Sequence, residues 1–452
     1  MRLRLSDIAR SLELASHCGD VTVTGLAIDS RLVEPGDLFV AIAGQRVDGH
    51  DYISSAIARG AVAVVSERPI SQDIPHVIAS DATAACGHVA RLVRAEFSGK
   101  VIGITGSAGK TTAKSFLAAI CSGAGTTVAT EGNQNNELGV PLTLAKLNSA
   151  AAFAVVEMGA AQMGDIAYLK SMASPQVVIL LNAREAHVER FGSLEAIVAA
   201  KGEILDNLSE HDTAILNADG PELAAWRARA QPAQVLTFGR SSAADIRLVS
   251  SQDRGFDGSV MNVDMCGTPA LWRISIPGEP GMVNALAAAA AAQALGIEDK
   301  TISDGLASVT PVRGRGDIRQ LQNGIRLIDD SYNASPSSVM AALNLLSSAD
   351  APRTAVLADM LELGDEAVTY HCNIGERIAE LGIERLLAVG ELSKHISDLS
   401  NSQTRHYKDV AALIADSPAF GANETVLIKG SRAMQLDRFV DAMCESLGGT
   451  SC

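Results

Sequence analysis

The sequence predicts an α/β protein in three parts: a small N-terminal α/β domain, a central parallel sheet covered by helices, and a doubly wound C-terminal domain. Three observations carry this. At 452 residues the chain outgrows one hydrophobic core, so two to three domains are expected. Short apolar runs alternate with helical patterns along most of its length, the grammar of βαβ units. A glycine-rich turn, GITGSAGKTT at 103–112, joins a buried-type strand to a helix.

Residues 1–83 form the first part, with β-like runs in VTVTGLAIDS and GDLFVAIAG and a helix-like SSAIARG. The second part is expected to span 84–312. It opens on helix-like DATAACGHVARLVRAEF and the strand VIGIT, and a helix is predicted from Lys110. The strands FAVVEM, QVVILLN and DTAILN follow, alternating with helices. The third part, 313–452, repeats the pattern with RLIDD, TAVLAD, RLLAVG and TVLIKG, each before a helix, and so reads as Rossmann-like. No internal repeat is seen.

Composition narrows the classes of partner. Hydrophobic residues make up 47% and charged residues 20%, a globular balance without a disordered block. The net charge of -15 gives no uniform field for nucleic acid or an anionic membrane, so any phosphate must be met locally. Cysteines at 18, 86, 121, 266, 372, 444 and 452 lack CxxC or Cys/His metal spacing, which suits reduced thiols in the cytoplasm. The N-terminus has charges every few residues, and the Ala-rich run near 285–295 is too short to span a bilayer. The expectation is a cytoplasmic monomer acting on small molecules, with no nucleic acid and no membrane insertion.

The turn at 106–112 carries the chemistry. Gly106, Ser107, Ala108, Gly109, Lys110, Thr111 and Thr112 would cradle phosphates with backbone N–H groups and a helix N-terminus. Lys110 would reach the terminal phosphates and Thr111 would place its hydroxyl on Mg²⁺. The motif is a variant, since Ile104 stands where a strict Walker A loop has its first glycine. Glu157 ends the run FAVVE, placing a carboxylate at a strand's carboxyl end, where open α/β sheets bind ligands. Taken alone it is equally a helix-capping acid. His187 follows a similar strand; a lone histidine is more often structural, and its weight comes from its company.

Several blocks in order resemble the Mur ligase family over essentially the whole chain. They are DSRLVEPGDLFVAIAGQRVDGHDYI (29–53), GITGSAGKTT, EGNQNNELGVPLTL (131–144), VVEMG (155–159), NAREAHVERFGSLEAIVAAKGEI (182–204), IDDSYNASPSSV (328–339), ADMLELG (358–364) and LIKGSRAM (427–434). The resemblance implies a domain for a UDP-sugar, a central P-loop ATPase-type domain, and a C-terminal domain receiving the incoming amino component. The form DDSYNASP resembles the member that adds D-alanyl-D-alanine to UDP-N-acetylmuramoyl-tripeptide, rather than the sibling that adds the third amino acid. The implied cofactors are ATP, Mg²⁺ at two sites, and a carbamylated lysine.

The same resemblance assigns residues. Ser30, Arg31, Asp48, Gly49 and His50 fall where the family binds the nucleotide-sugar, although the sequence there also suits turns. Asn135 and Asn136 fall near the substrate. Lys201 takes the position of the carbamylated lysine; read without the family it is an exposed-helix lysine. Glu157 would anchor one metal, and His187 with carbamylated Lys201 a second. Asn284 matches an asparagine placed against adenine, while Pro280 and Gly281 replace the His-Asn pair usual just before it. Arg315 matches an arginine on the nucleotide phosphates. Asp330 matches an acid that holds ribose or orients a basic partner, and Tyr332 and Asn333 continue that block. Lys429, Ser431 and Arg432 would meet the acyl phosphate or the dipeptide.

Overall fold

The computed structural model describes residues 1–17, 19–44, 47–185 and 188–448. In the first part, β1 (Leu3–Arg4), α1 (Leu5–Ser11), β2 (Ser16–His17), β3 (Thr22–Val23), β4 (Gly25–Ala27), β5 (Asp37–Val40), α2 (Ile53–Arg59), β6 (Ala63–Ser66) and β7 (His76–Ile78) follow in order. β1 pairs with β3, and the main sheet runs β2-β7-β6-β5-β4, parallel except at β2. All four residues of DLFV and of AVVS are buried, as strands covered on both faces require. Gly60 ends α2 at φ +113°, where an added Cβ would lie 2.8 Å from the Pro35 Cα.

Helix α3 (Ala82–Glu96) starts where the Asp81 carboxylate accepts from the Ala84 N–H. Its apolar face, including Ala85, Val89 and Val93, joins one continuous core. That core draws Leu5, Ile8 and Val65 from the first part and Val140, Leu144 and Val156 from the second.

The central sheet contains β8 (Lys100–Thr105), β9 (Thr127–Ala129), β10 (Phe153–Glu157), β11 (Val177–Leu180), β12 (Thr213–Asn217), β13 (Gln234–Gly239), β14 (Ile246–Asp253), β15 (Ser259–Met265) and β16 (Thr268–Ile274). Its order is β16-β15-β14-β13-β12-β11-β8-β10-β9. The pairs from β9 to β14 are parallel, as expected; the hairpin partners β15 and β16 are antiparallel and extend the sheet beyond the reading made from sequence. Its helices are α4 (Lys110–Ala124), α5 (Gly139–Ala145), α6 (Asp165–Ala173), α7 (Val188–Phe191), α8 (Leu194–Gly202), α9 (Leu223–Arg229), α10 (Gly278–Ala294) and α11 (Asp299–Ser308). The alanine run lies in α10, wholly buried from Ala285 to Ala292. Alanine favours helix without side-chain entropy cost, and its small side chain lets the helix lie close against its neighbours. No helix among the described residues is long and apolar enough to cross a membrane.

The last part has β17 (Asp317–Gln320), β18 (Arg326–Asp330), α12 (Pro336–Ser347), β19 (Arg353–Ala358), α13 (Ala367–Leu381), β20 (Arg385–Val389), α14 (Ser393–Leu399), β21 (Gln403–Tyr407), α15 (Val410–Asp416), β22 (Thr425–Lys429) and α16 (Asp437–Ser446). The sheet order is β17-β18-β22-β19-β20-β21, parallel apart from β17 at its edge. One face packs on Leu413, Phe439 and Val440, the other on Leu343, Ile374 and Ile378. This is the doubly wound form the sequence predicts.

Candidate active site

Parallel register sets the site. Glu157 on β10 stands opposite Ile104 of β8, and Leu180 on β11 opposite Thr105, so three carboxyl ends lie side by side. From β8 the chain turns through Gly106 to Gly109, whose φ of +85° suits glycine, and enters α4 at Lys110. A Cβ at Gly109 would lie 2.4 Å from Asn284 Oδ1, so α10 presses its asparagine onto the loop. Asn182 steadies the other side. Its Oδ1 accepts from the Ala108 N–H at 3.0 Å, its Nδ2 donates to the Ala108 carbonyl at 3.1 Å, and its own carbonyl accepts from the Ser107 N–H at 3.1 Å. The Ser107 hydroxyl donates to the Arg184 carbonyl and accepts from the Arg184 N–H.

An α-helix cannot supply acceptors for its own first-turn N–H groups, so the start of α4, with Thr111 and Thr112 behind Lys110, is an anion cradle. Lys110 Nζ donates to the loop's own carbonyls, Gly106 at 2.7 Å and Ser107 at 3.3 Å. Burial lowers its pKa, against the pull of Glu157 and with a further push from Arg315. The same three influences act on Lys114, one helical turn on. Lys110, Lys114 and Arg315 therefore gather around Glu157, with Glu131 acting on Lys114 as well, an excess of positive charge that suits a polyphosphate.

Glu157 is buried and fully engaged. Its Oε2 accepts from the Thr111 hydroxyl at 2.9 Å, its Oε1 from Asn135 Nδ2 at 2.7 Å, and Lys114 Nζ stands 3.9 Å from Oε2. Its N–H donates to Thr130 Oγ1, while Lys114 donates to the Thr130 carbonyl at 2.8 Å. The Thr111 hydroxyl and the Glu157 carboxylate are hard oxygen donors side by side, so they fit magnesium. Among the described residues no group of three His, Cys, Asp or Glu gathers as a metal site, and His187 lies outside the described residues.

Lys201 corrects the plain reading of its sequence. It is 3% exposed, because the carboxyl end of α8, with Ala200 and Gly202, is buried. Its Nζ lies 3.4 Å from the Ala160 carbonyl, just beyond β10, and 5.3 Å from the centroid of the Phe191 ring. Burial first, then the Lys110 charge, lowers its pKa to about 7, against Asp165 and Glu203. Glu203 itself is buried and accepts from the Gly164 and Ala167 N–H groups at the start of α6.

From the C-terminal part, Arg315 stacks on Tyr332 at 3.9 Å, and the Arg432 guanidinium lies 5.9 Å from the same ring. Asp330 pairs with Lys429 at 2.6 Å, and Lys429 also donates to the Asn333 carbonyl. Burial raises the Asp330 pKa and Lys429 opposes the shift. Ser431 Oγ accepts from the Leu361 N–H, and the largely exposed Arg432 pairs with Asp437.

In the first part, Ser30 is buried, and the exposed Arg31 pairs with Asp29 at 2.7 Å. Asp48 accepts from the His50 N–H and from His50 Nδ1, and pairs with Arg68; the His50 contacts, before Arg68, hold its acid down at about 2. His50 Nε2 accepts from the Glu67 N–H, which leaves the proton on Nδ1. A Cβ on Gly49 would lie 2.7 Å from the Ile42 nitrogen. Asn136 accepts from the Gly139 N–H at the start of α5, so of the two asparagines only Asn135 touches Glu157. Pro280 and Gly281 lie in the first turn of α10, where a Cβ on Gly281 would meet the Ile276 carbonyl at 2.6 Å.

Reading the sequence missed Lys114, Thr130, Asn182 and Glu203. Signals existed: Lys114 has i+4 spacing from Lys110 in the apolar helix KTTAKSFLAAI, and Asn182 and Glu203 lie in the resembling block 182–204.

Fold and site together define an α/β protein with a phosphate-binding loop backed by a buried acid. The chain belongs to the Mur ligase family. It matches the Mur ligase middle domain over residues 104–292, the "Mur ligase family, catalytic domain" over 22–96, and the "Mur ligase, glutamate ligase domain" over 314–432. The UDP-N-acetylmuramoyl-tripeptide–D-alanyl-D-alanine ligase of Escherichia coli strain K12 is 36% identical, with 98% of each chain covered. A crystal structure of MurF from Acinetobacter baumannii superposes with a TM-score of 0.89 at 29% identity, covering 98% of this chain and 99% of that one. MurF ligase from Thermotoga maritima in complex with ADP gives a TM-score of 0.82 at 28% identity, over 94% and 98%.

Proposed function

We propose that this chain is an ATP-dependent ligase that joins D-alanyl-D-alanine to UDP-N-acetylmuramoyl-tripeptide, giving the UDP-muramoyl-pentapeptide precursor of peptidoglycan. The observation that carries the chemistry is the convergence of the Lys110 loop, the acid Glu157 and the buried amine Lys201 beyond the ends of β8 and β10. The substrates follow from the full-length likeness to ligases named for them. The three functional units are taken as 1–83 for the UDP-sugar, 84–312 for ATP, and 313–452 for the dipeptide.

A carboxylate does not acylate an amine at neutral pH, because its oxygen leaves poorly. In the proposed first step the tripeptide carboxylate oxygen attacks the γ-phosphorus of ATP. The bond to the bridging oxygen breaks, leaving ADP and an acyl phosphate. Lys110, moved from the Gly106 and Ser107 carbonyls onto the terminal phosphates, and the amides of 106–112 neutralise the charge that develops. Arg315 joins them there, Asn284 faces the adenine side, and Asp330 holds ribose or steadies Lys429. In the second step the dipeptide amine attacks the acyl carbon, the bond to the phosphate oxygen breaks, phosphate leaves and the nitrogen sheds a proton.

Ser30, Arg31, Asp48, Gly49 and His50 are proposed to hold the UDP-sugar. Asn135 and Asn136 would face the tripeptide, and Tyr332, Asn333, Lys429, Ser431 and Arg432 the dipeptide or acyl phosphate. Thr111, Glu157, His187 and a carbamylated Lys201 would hold magnesium, which when bound withdraws charge from phosphoryl and acyl oxygens. An amine whose pKa falls to about 7 is partly neutral near pH 7, the form that takes up CO₂, which supports the carbamate.

The test supplies ATP, Mg²⁺, UDP-N-acetylmuramoyl-tripeptide and D-alanyl-D-alanine, and follows ADP, phosphate and product mass. The pentapeptide with one phosphate per peptide bond is expected. ATP hydrolysis without amide product overturns the proposal.

A further inference from the structure

The ADMLELG block between β19 and α13 has no part in the steps above, yet it crosses from the C-terminal sheet to the central unit. Its Glu362 sits at φ +62°, a left-handed conformation that side-chain-bearing residues rarely adopt. In that conformation Glu362 reaches α7 twice. Its carbonyl accepts from the Glu189 N–H at 3.1 Å, and its Oε1 meets Arg190 Nη2 at 2.7 Å. Gly364, also left-handed, brings its own backbone close to that of Glu189. The block is held from behind. Met360 donates its N–H to the buried His371, Leu361 donates its N–H to Ser431, and Leu363 is buried. On the far side of the contact, α7 carries Phe191, whose ring lies over the Lys201 amine.

We propose that Glu362 is a positioning residue for the ligase reaction: by docking on Glu189 and Arg190 it fixes α7, and through Phe191 the surroundings of Lys201, when the C-terminal unit is seated. A residue held in an unfavourable backbone conformation whose carbonyl and carboxylate both engage one four-residue helix is held to that conformation in part by the contact. The contact lies where α7 meets the unit that would bring in the dipeptide, so docking couples the seating of that unit to the Lys201 site. The inference rests on the proposed ligase reading for its kinetic consequence, but not for the docking itself.

Two measurements on the full chain test it. Glu362→Asn removes the charge with a residue that tolerates the left-handed conformation, Arg190→Met removes its partner, and Glu362→Arg with Arg190→Glu reverses the pair. Without substrate, amide exchange over residues 188–192 is expected to quicken in each single variant and to slow again in the reversed pair. In the ligase assay each single variant is expected to lower kcat about two- to fivefold, the scale of a partly exposed ion pair, with the KM for ATP unchanged and kcat recovered by the reversed pair. Exchange and kcat equal to wild type in the single variants, or a reversed pair no better than they are, would overturn the proposal. Exchange that responds as expected in a chain whose wild type forms no pentapeptide would leave the docking standing and defeat the ligase reading instead.

Discussion

Lys110 and Lys201 are both amines driven toward neutrality by burial, and each substitution is expected to cost ligation, while replacing Lys201 alone should also raise stability near neutral pH. Lys110 already spends its ammonium protons on the loop carbonyls, so the apo loop is self-satisfied and phosphates must outbid Gly106 and Ser107 for it. Lys110→Ala removes a donor aimed at charge that grows in the transition state, a loss of about 10²- to 10³-fold in turnover. Near-normal ADP release by that variant would refute the phosphate-loop assignment. Lys201 is buried with one carbonyl partner at 3.4 Å, the Phe191 ring beside it and the Lys110 charge near it, so keeping it charged costs stability. Its pKa is about 7 folded against 10.5 free, so between those values the unfolded chain binds the extra proton and stability rises with pH. The cost is present in full below pH 7 and fades toward 10.5. In CO₂-free buffer with metals chelated, Lys201→Met is therefore expected to raise Tm by a few degrees at pH 7 and by much less at pH 10, while abolishing ligation. An equal Tm gain at both pH values would show that burial of the charge is not what the substitution relieves.

Elements set these side chains, and here the sequence was unevenly legible. Gly109 joins two constraints, a φ of +85° and an asparagine 2.4 Å from the place of a Cβ. Gly109→Ala is expected to cost about 1–2 kcal/mol in backbone strain and to raise the KM for ATP; adding Asn284→Ala should recover the steric part only. Chemical denaturation of the single and double variants separates the two, and full recovery in the double would mean that the strain is negligible. Behind the ADMLELG block, His371 accepts from the Met360 N–H through Nε2 and donates from Nδ1 to the Ala367 carbonyl, so it must be neutral. Burial depresses its pKa below 6.5, against Asp359 and with His395. Below pH 6.5 the unfolded chain takes a proton that the folded one refuses, and the block's anchor weakens. Amide exchange at Met360, corrected for its intrinsic rate, should then accelerate from pH 6.5 to 5; no change would remove His371 as the anchor. VIGIT and the helix at Lys110 were readable because parallel strands buried on both faces write themselves as unbroken apolar runs. The β15 strand SVMNVDM was passed over because only its alternate residues, Ser259, Met261, Val263 and Met265, are buried. Composition and periodicity alone gave no sign that Lys201 is buried; only the family resemblance raised it. A lysine in LEAIVAAKGEI looks solvated until Ala160 and Phe191, contributed by other segments, close over it.

At the scale of the molecule, the three parts are not equally separable. The first shares its core with the second, since Leu5, Ile8 and Val65 belong to one cluster with α3, Val140 and Leu144. The last part has clusters of its own on both faces of its sheet. Among the described residues, the contacts that join it to the centre include the Glu362 contacts with α7, Arg326 stacked 4.4 Å from Phe256, and α12 against α10, and they share no core cluster of the size that ties the first part to the second. Fully exposing a buried aliphatic side chain costs about 1.5–3 kcal/mol, and a domain's net stability is only about 5–15 kcal/mol, so baring a handful of them is enough to unfold it. Partly exposed ion pairs contribute about 0–1 kcal/mol each, and their loss is survivable. The cut that matches sequence to energetics therefore falls between α11 and β17. A fragment 313–452 is expected to be soluble and to unfold cooperatively, with helix and strand content in proportion to its elements. A fragment 84–452 keeps the whole nucleotide site yet bares the α3 face and Val140, so it should aggregate or bind hydrophobic dyes as a loosely packed state. Calorimetry and near-ultraviolet circular dichroism on the two fragments decide the matter. A native-like 84–452 would mean that the shared core is an interface between finished domains, and that the first part could swing away to admit its UDP-sugar without disturbing the phosphate loop.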